Sequence, residues 1–530
     1  MKGILTAWPE QARVLSIIVL SLVATSCNSN SDPNDDGPDP QCNACEIGCE
    51  CPTCGNGVCD PEESCTACAS DCGACPTCAA SGDTGIDCAD CGDGCEALWV
   101  SADGSDENDG SKGSPWKTIT HALSALPTTG GQTVCVEDGT YSGAIESDRA
   151  FTEPVWVKAV TPYKAVLTAD DNPVIEVAGT NLGFEGFEIV GQATTSDSTG
   201  LVYIDETENF SLRNNVIHDS YHNDLLRILG ANGTTLECNV LYNQADDEEH
   251  LDINQASRNT FLYDNIFFND YAASERTISQ VQSFIVIKLS GVEPPPVTGD
   301  VFMRRNIFMH YEGGSTSMLQ IGADGEAFAE AEDIVLENNL FLYNGDAHNG
   351  GFDIRGAANV TVRANTLVGN GVDEPFAGAV YTSDGSPPAE NVFIYNNVFA
   401  RADGNMGVLL ESPPDGVTSG ELLNNLYWNG GQSIPTQGDF FDYTEDAQPL
   451  IANPELADPA DAPTPVWDGE SFANRWSTVR EAFEALVRSY AKPGANSGAI
   501  DAADASKMPV DDILGNSRGS SPDIGAYEAD

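Results

Sequence analysis

Between Asp224 and Lys288 the chain concentrates side chains that could bind a cation, hold a carboxylate and move a proton. Asp219 and Asp224 stand in HDSYHND, and NQADDEEHLDI then places Asp246, Asp247, Glu248, Glu249 and Asp252 within seven residues. Carboxylates this dense raise one another's pKa unless a cation neutralises them. Calcium suits such a set, because it takes several oxygen ligands and tolerates irregular geometry. Asp224, Asp246, Asp247 and Asp252 are accordingly the expected calcium ligands. Arg227, in LLRI, could clamp a substrate carboxylate bidentately. His250, just before LDI, could carry a proton. Lys288, in FIVIKLSG, is the only lysine between Lys164 and Lys492.

The elements that must position these residues show as a repeat. An asparagine followed by apolar residues recurs in RNNVIHD, ECNVLYN, YDNIFFN, RRNIFMH, ENNLFLYN, RANTLVGN, YNNVFA and NNLYWN. The asparagines are Asn215, Asn239, Asn265, Asn306, Asn339, Asn365, Asn397 and Asn425, with gaps of 24, 26, 41, 33, 26, 32 and 28 residues. A minimum spacing near 24 with insertions marks a solenoid. Strand-length runs between Gly, Asn and Asp turns make it a β-solenoid, and the LxxLxL frame of a leucine-rich repeat is missing. Coils stack about 4.8 Å apart, so equivalent asparagines should form an internal ladder of amide hydrogen bonds. That role is structural.

Alternate residues of a strand point outward. Aligning the apolar flanks of LLRI, HLDI, VIKL, LQIG and FDIR places Arg227, Asp252, Lys288, Gln320 and Asp353 in one outward column. Lys288 is then one rung of a polar face, with Asp252 one coil away. Gln320 and Asp353 extend that face as expected substrate contacts, with His250 beside it.

The rest of the chain fixes the setting. The net charge is −59, from 82 acidic residues against 23 Lys and Arg. Such a surface repels phosphate backbones and argues against nucleic acid as a partner. Lys2 and Arg13 precede an apolar run, Val14 to Ala24, that is short for a bilayer span and ends in small residues before Cys27. Residues 1–26 read as an export signal and 27–41 as a disordered tether. Fourteen cysteines lie in the region 42–96, where an exported chain forms disulfides. Cys135 and Cys238 lie in strand-like runs and read as buried thiols. Residues 97–430 form the solenoid, capped by a short helix within Pro115–Leu126. Residues 431–530 form a C-terminal extension and cap. In it, ANRWSTVREAFEALVRSY has an apolar helical face suited to covering the last coil.

Several stretches resemble known families. The start resembles a bacterial lipoprotein signal, which implies a lipid on Cys27, a membrane anchor, and display on the outer membrane or cell surface. CGNGVCDPEESCTACASDCGAC resembles short disulfide repeats of bacterial surface proteins. LWVSADGSDENDGSKGSPWKTITHALSALPTTGGQTVCVEDGTYSG resembles the opening of secreted right-handed parallel β-helix proteins. SGAID and DIGAYE resemble the closing segment of secreted β-helix proteins of the choice-of-anchor Q type. The fold expected is all-β, a right-handed parallel β-helix behind a disulfide-rich stalk. Asp224, Asp246 with Asp247 and Asp252, and Lys288 in VIKLSG are similar to the site of calcium-dependent pectate lyases of polysaccharide-lyase family nine. That resemblance implies calcium on the aspartates, Lys288 as catalytic base, and β-elimination of an acidic polysaccharide. The chain carries two more residues between the Asp pair and Asp252 than that family and lacks most of its flanking glycines. A β-helix glycoside hydrolase would need two paired carboxylates, and Asp252 and Asp353 lie several coils apart. The other reading is a non-catalytic protein that binds polysaccharide or cell-envelope glycan, or builds the envelope; on either reading the chain is expected to be a monomer.

Overall fold

The computed structural model describes residues 97–529, apart from segments at 171–172, 193–198, 279–280, 291, 293, 313–316, 324–325, 345–349, 370–375, 382–385, 414 and 437–440. The signal segment, Cys27, the tether and the cysteine-rich region to residue 96 lie outside the described residues. Among the described residues no helix is long and apolar enough to cross a membrane.

Successive coils contribute strands to three parallel sheets of twelve, ten and twelve strands. The first sheet runs from Leu98–Val100 to Gly420–Leu423, the second from Ile145–Ser147 to Leu410–Glu411, and the third from Gly139–Ser142 to Leu450–Ile451. The winding is right-handed, as expected for parallel strands joined by crossovers. Alternation within each strand sends Ile, Leu, Val and Phe inward. In the second sheet Leu226 and Ile228, Leu251 and Ile253, and Ile285 and Ile287 are fully buried. Inward aromatics stack from coil to coil, with Phe267, Phe308 and Phe341 rings 5.1 and 4.9 Å apart.

The asparagine repeat makes the bend from the first sheet to the third. The residue before each ladder asparagine is left-handed: φ is 52° at Asn214, 57° at Asp264, 55° at Asn338 and 53° at Asn396. Asn and Asp tolerate that conformation better than most side chains, which explains the doubled asparagines in RNNV, ENNL and YNNV. Each ladder amide donates to the next carbonyl oxygen, from Asn215 Nδ2 to Asn239 Oδ1 at 3.1 Å through to Asn397 Nδ2 to Asn425 Oδ1 at 2.9 Å. Each also returns to the main chain of the preceding coil, as Asn306 Nδ2 does to the Leu262 carbonyl at 2.8 Å. Asp446 closes the ladder, its Oδ2 accepting from Asn425 Nδ2 and from the Tyr427 hydroxyl. Asn306→Ala would take Asn306 Oδ1 from the buried Asn265 backbone amide and would strip one of the two bonds of the Asn265 side-chain amide, which keeps the Leu236 carbonyl. Each such group costs about 1–3 kcal/mol, so a loss of roughly 3 kcal/mol in a denaturant titration is expected.

The helix Ile119–Ala125, N-capped by Thr118, buries Ile119, Ala122 and Leu123 over the first coils. The C-terminal helix Val479–Tyr490 buries Val479, Ala482, Phe483, Leu486 and Val487. It does not cover the last coil. Its apolar face joins a cluster with Val216, Val240, Ile266, Ile307 and Leu340, the outward residues of the third sheet. The extension runs back along that flank: Trp467 Nε1 donates to Glu188 at 3.1 Å and the Val479 amide to the Tyr163 hydroxyl at 3.4 Å. It then returns, so that Asp511 meets Arg304 and Arg305, and the Ala526 amide donates to Thr366 Oγ1 at 3.0 Å. Cys135 and Cys238, expected as thiols, are disulfide-bonded.

Candidate active site

The outward face of the second sheet carries the residues singled out above. Its register pairs Arg227 with Asp252, Asp252 with Val286, Val286 with Gln320, and Gln320 with Asp353. Arg227, Asp252, Gln320 and Asp353 thus share a column as expected, whereas Lys288 does not. Val286 takes its place, and Lys288, two residues on from Val286, directly follows the strand Ile285–Ile287. Its side chain leans back, placing Nζ 3.6 Å from Asp252 Oδ1.

Asp252 is shared. Its Oδ2 lies 3.4 Å from Arg227 Nη2, and Arg227 Nε lies 3.2 Å from Asp224 Oδ2. Asp224 is 1% exposed, and its Oδ1 accepts the Glu249 amide at 2.9 Å. A chain of alternating charge results: Asp224, Arg227, Asp252, Lys288. Oxygens of Asp224, Glu248 and Glu249 come within 4.8 Å of one another. Burial pushes the Asp224 carboxyl well up, and the charges of Glu249 and Asp252 add to the shift. Burial also raises Glu249. Burial, with Glu249 beside it, raises Glu248 to about 7. Burial pulls Lys288 down, but Asp252, Glu249 and Asp224 outweigh it, so its pKa rises and the ammonium form is favoured.

Calcium lies 2.3–2.6 Å from its oxygens, so three carboxylates with oxygens this close fit one ion. They differ from the expected set. Asp246 and Asp247 are exposed, with Asp247 accepting from Gln282 Nε2 at 2.6 Å. Asp252 is held by Arg227 and Lys288. Of the four expected ligands only Asp224 joins the cluster, and Glu248 and Glu249 complete it. Both glutamates stand in the dense acidic run, which is the signal that could have found them.

His250 is not a surface residue. It is fully buried, stacked 4.6 Å from the Phe284 ring, with Nε2 3.0 Å from Asn269 Oδ1. Burial lowers its pKa to about 3, so it stays neutral and does not relay protons at ordinary pH. Asp353 is buried too, accepting from Ser317 Oγ at 2.7 Å and Arg355 Nη2 at 2.9 Å. Gln320 stays half-exposed, donating to the Gly322 carbonyl at 3.1 Å.

Residues 199–412 match the family model described as right handed beta helix region. Residues 102–160 match one described as a protein of unknown function (DUF1565). No curated protein matches the chain. Among solved structures, the pectate lyase Pel9A is 14% identical with a TM-score of 0.45, covering 82% of this chain and 96% of that one. XylC in complex with xylose is 12% identical with a TM-score of 0.44, covering 82% of this chain and 98% of that one. A PL6 alginate lyase bound to a trisaccharide is 14% identical with a TM-score of 0.34, covering 68% and 89%. The strand order, the winding and the matched family model agree on one architecture, and the chain is a right-handed parallel β-helix protein.

Proposed function

We propose that the face around Asp224, Arg227 and Lys288 binds an acidic polysaccharide and cleaves it by β-elimination, with calcium held by Asp224, Glu248 and Glu249. The observation that carries this is the placing of one lysine and one arginine on a shared, buried aspartate beside a carboxylate cluster with raised pKa values. When bound, the cation would draw charge from a substrate carboxylate and acidify the proton on the adjacent carbon. Arg227 reaches the same face and can orient that carboxylate. Lys288 would remove the proton as a carbon–carbon double bond forms and the glycosidic oxygen leaves the neighbouring carbon, taking a proton from water, and for this Lys288 must first be neutral. Three anions hold its own proton: Asp252, Glu249 and Asp224. With Asp224 and Glu249 neutralised as ligands, only Asp252 is left, and Arg227 shares it.

A non-catalytic glycan-binding role is the second reading, favoured by the 3.6 Å ion pair of Lys288 with Asp252. Either role fits display at the cell surface by a lipid on Cys27, which is part of the proposal. Incubating the purified protein with acidic polysaccharides, with calcium or with chelator, tests it. A calcium-dependent rise in the ultraviolet absorbance of unsaturated uronide products is expected. Binding without any such rise would leave the second reading.

The cluster also predicts a pH dependence. Metal binding displaces protons from its ligands. Glu248 titrates near 7, and Asp224 is also raised. Calcium affinity should therefore rise as pH rises, by about tenfold or more between about pH 6 and 8. Calorimetric titration at the two pH values would show it, and equal affinities would exclude this cluster as the site.

A further inference from the structure

The polar column continues past Arg227 in both directions, and its charges are spaced unevenly. Toward the N-terminal coils the register pairs Arg227 with Tyr203, Tyr203 with Glu176, and Glu176 with Glu146. Tyr203 is half-exposed, and Glu176 and Glu146 are exposed. Toward the C-terminal coils Arg227 and Asp252 are followed by Val286, Gln320 and Asp353. The neighbouring column holds the other cations. Lys288 directly follows Ile287, which pairs with Ile321, and Ile321 pairs with Ile354. Lys288, Gly322 and Arg355 therefore occupy one position on three successive coils. Lys288 and Arg355 stand on the first and third, with Arg355 Nη2 2.9 Å from Asp353 Oδ2, and the middle residue has no side chain.

One coil advances about 4.8 Å, close to the length of one sugar in an extended polysaccharide. A polymer laid along the face therefore meets roughly one coil per sugar. The carboxylate that Arg227 orients has an anion, Asp252, on the next coil. Beyond Lys288 a sugar meets Gly322 and Gln320, which offer no positive charge, and the one after it meets Arg355 already paired with Asp353. On the other side of Arg227, successive sugars meet the Tyr203 ring, which suits an uncharged pyranose face, and then two carboxylates that repel anions. Resting on the reading that this face takes an acidic polysaccharide, we infer that its substrate separates acidic sugars by neutral ones and is not a homopolymer of uronate. Like charges set opposite one another discriminate against the wrong partner, and Glu176 and Glu146 supply that discrimination.

The test uses gel retardation in calcium with two polymers whose uronates are separated by neutral sugars, rhamnogalacturonan backbone and gellan. Two homopolyuronates, polygalacturonate and alginate, are run beside them. At least one separated-charge polymer should be held about tenfold more tightly than either homopolymer. The double variant Glu146→Gln, Glu176→Gln, both exposed and outside the core, should shrink that ratio toward one. Homopolymer binding as tight as the best separated-charge polymer, or a ratio unmoved in the double variant, would overturn the inference and leave the proposed function standing. Retention of none of the four at any calcium concentration would overturn the proposed function itself.

Discussion

Lys288→Ala is expected to remove elimination activity by about 10²–10⁴-fold, the usual contribution of a positioned general base, and to leave the fold intact. The side chain is 26% exposed and lies beyond its strand, so truncation opens no core cavity. Asp252 keeps Arg227 as its partner. The informative companion is Lys288→Arg. Arginine retains the positive charge and can keep the ion pair, but it does not lose its proton in proteins. If Lys288 is the base, Lys288→Arg should bind polymer while turnover falls as far as in Lys288→Ala. If it only anchors a glycan, Lys288→Arg should behave like the parent in retention assays. Product absorbance and polymer retention, measured on both variants, separate the two. Elimination surviving in Lys288→Ala would rule out this lysine as the base.

Asp511→Ala should cost about 3–5 kcal/mol, the penalty for stripping a partner from buried charges. Arg305 is 1% exposed and Arg304 is 3% exposed. Asp511 meets both, with Arg305 Nη1 3.0 Å from its Oδ2. Arg305 keeps Asp264 at 2.8 Å and Arg304 keeps Glu337 at 2.9 Å, which limits the loss. The Asp511 carbonyl also accepts from Asn338 and from Arg518, so the main chain stays tied there. Chemical denaturation of the two proteins compares them directly, and a difference below about 1 kcal/mol would mean that the C-terminal extension is not held by this charge cluster.

The ladder asparagines were legible because one side chain recurs at one structural position in every coil. The outward column was legible because strand alternation puts Arg227, Asp252, Gln320 and Asp353 on one parity. The same parity hid the true place of Lys288. In FIVIKLSG, sliding the alignment by two residues leaves each residue on the same face, so periodicity could not tell Val286 from Lys288 as the partner of Asp252. Loops have no period, so nothing in the acidic run told Asp246 and Asp247 from Glu248 and Glu249 as ligands. His250 was misplaced because alternation holds only within Leu251–Asn254. The residue before that strand turns into the coil and stacks on Phe284. The apolar face of Val479–Tyr490 was readable, but not its partner. An amphipathic stripe shows that a surface is covered and leaves open which one.

The extension that doubles back along the third sheet changes how the molecule should come apart. In a solenoid each coil touches only its neighbours, so the ends fray independently and stability grows coil by coil. Here the segment after residue 450 reaches Tyr163 near one end and Thr366 toward the other, across 316 and 160 residues of chain. It acts as a splint, and coils that share no direct contact then gain or lose order together. Unfolding should follow a single cooperative transition, with amide exchange across the described coils protected to a similar degree. The splint is made last, because its docking surface does not exist until the coils beneath have stacked. Late assembly makes it a kinetic lock on the finished helix: opening must begin by peeling it away.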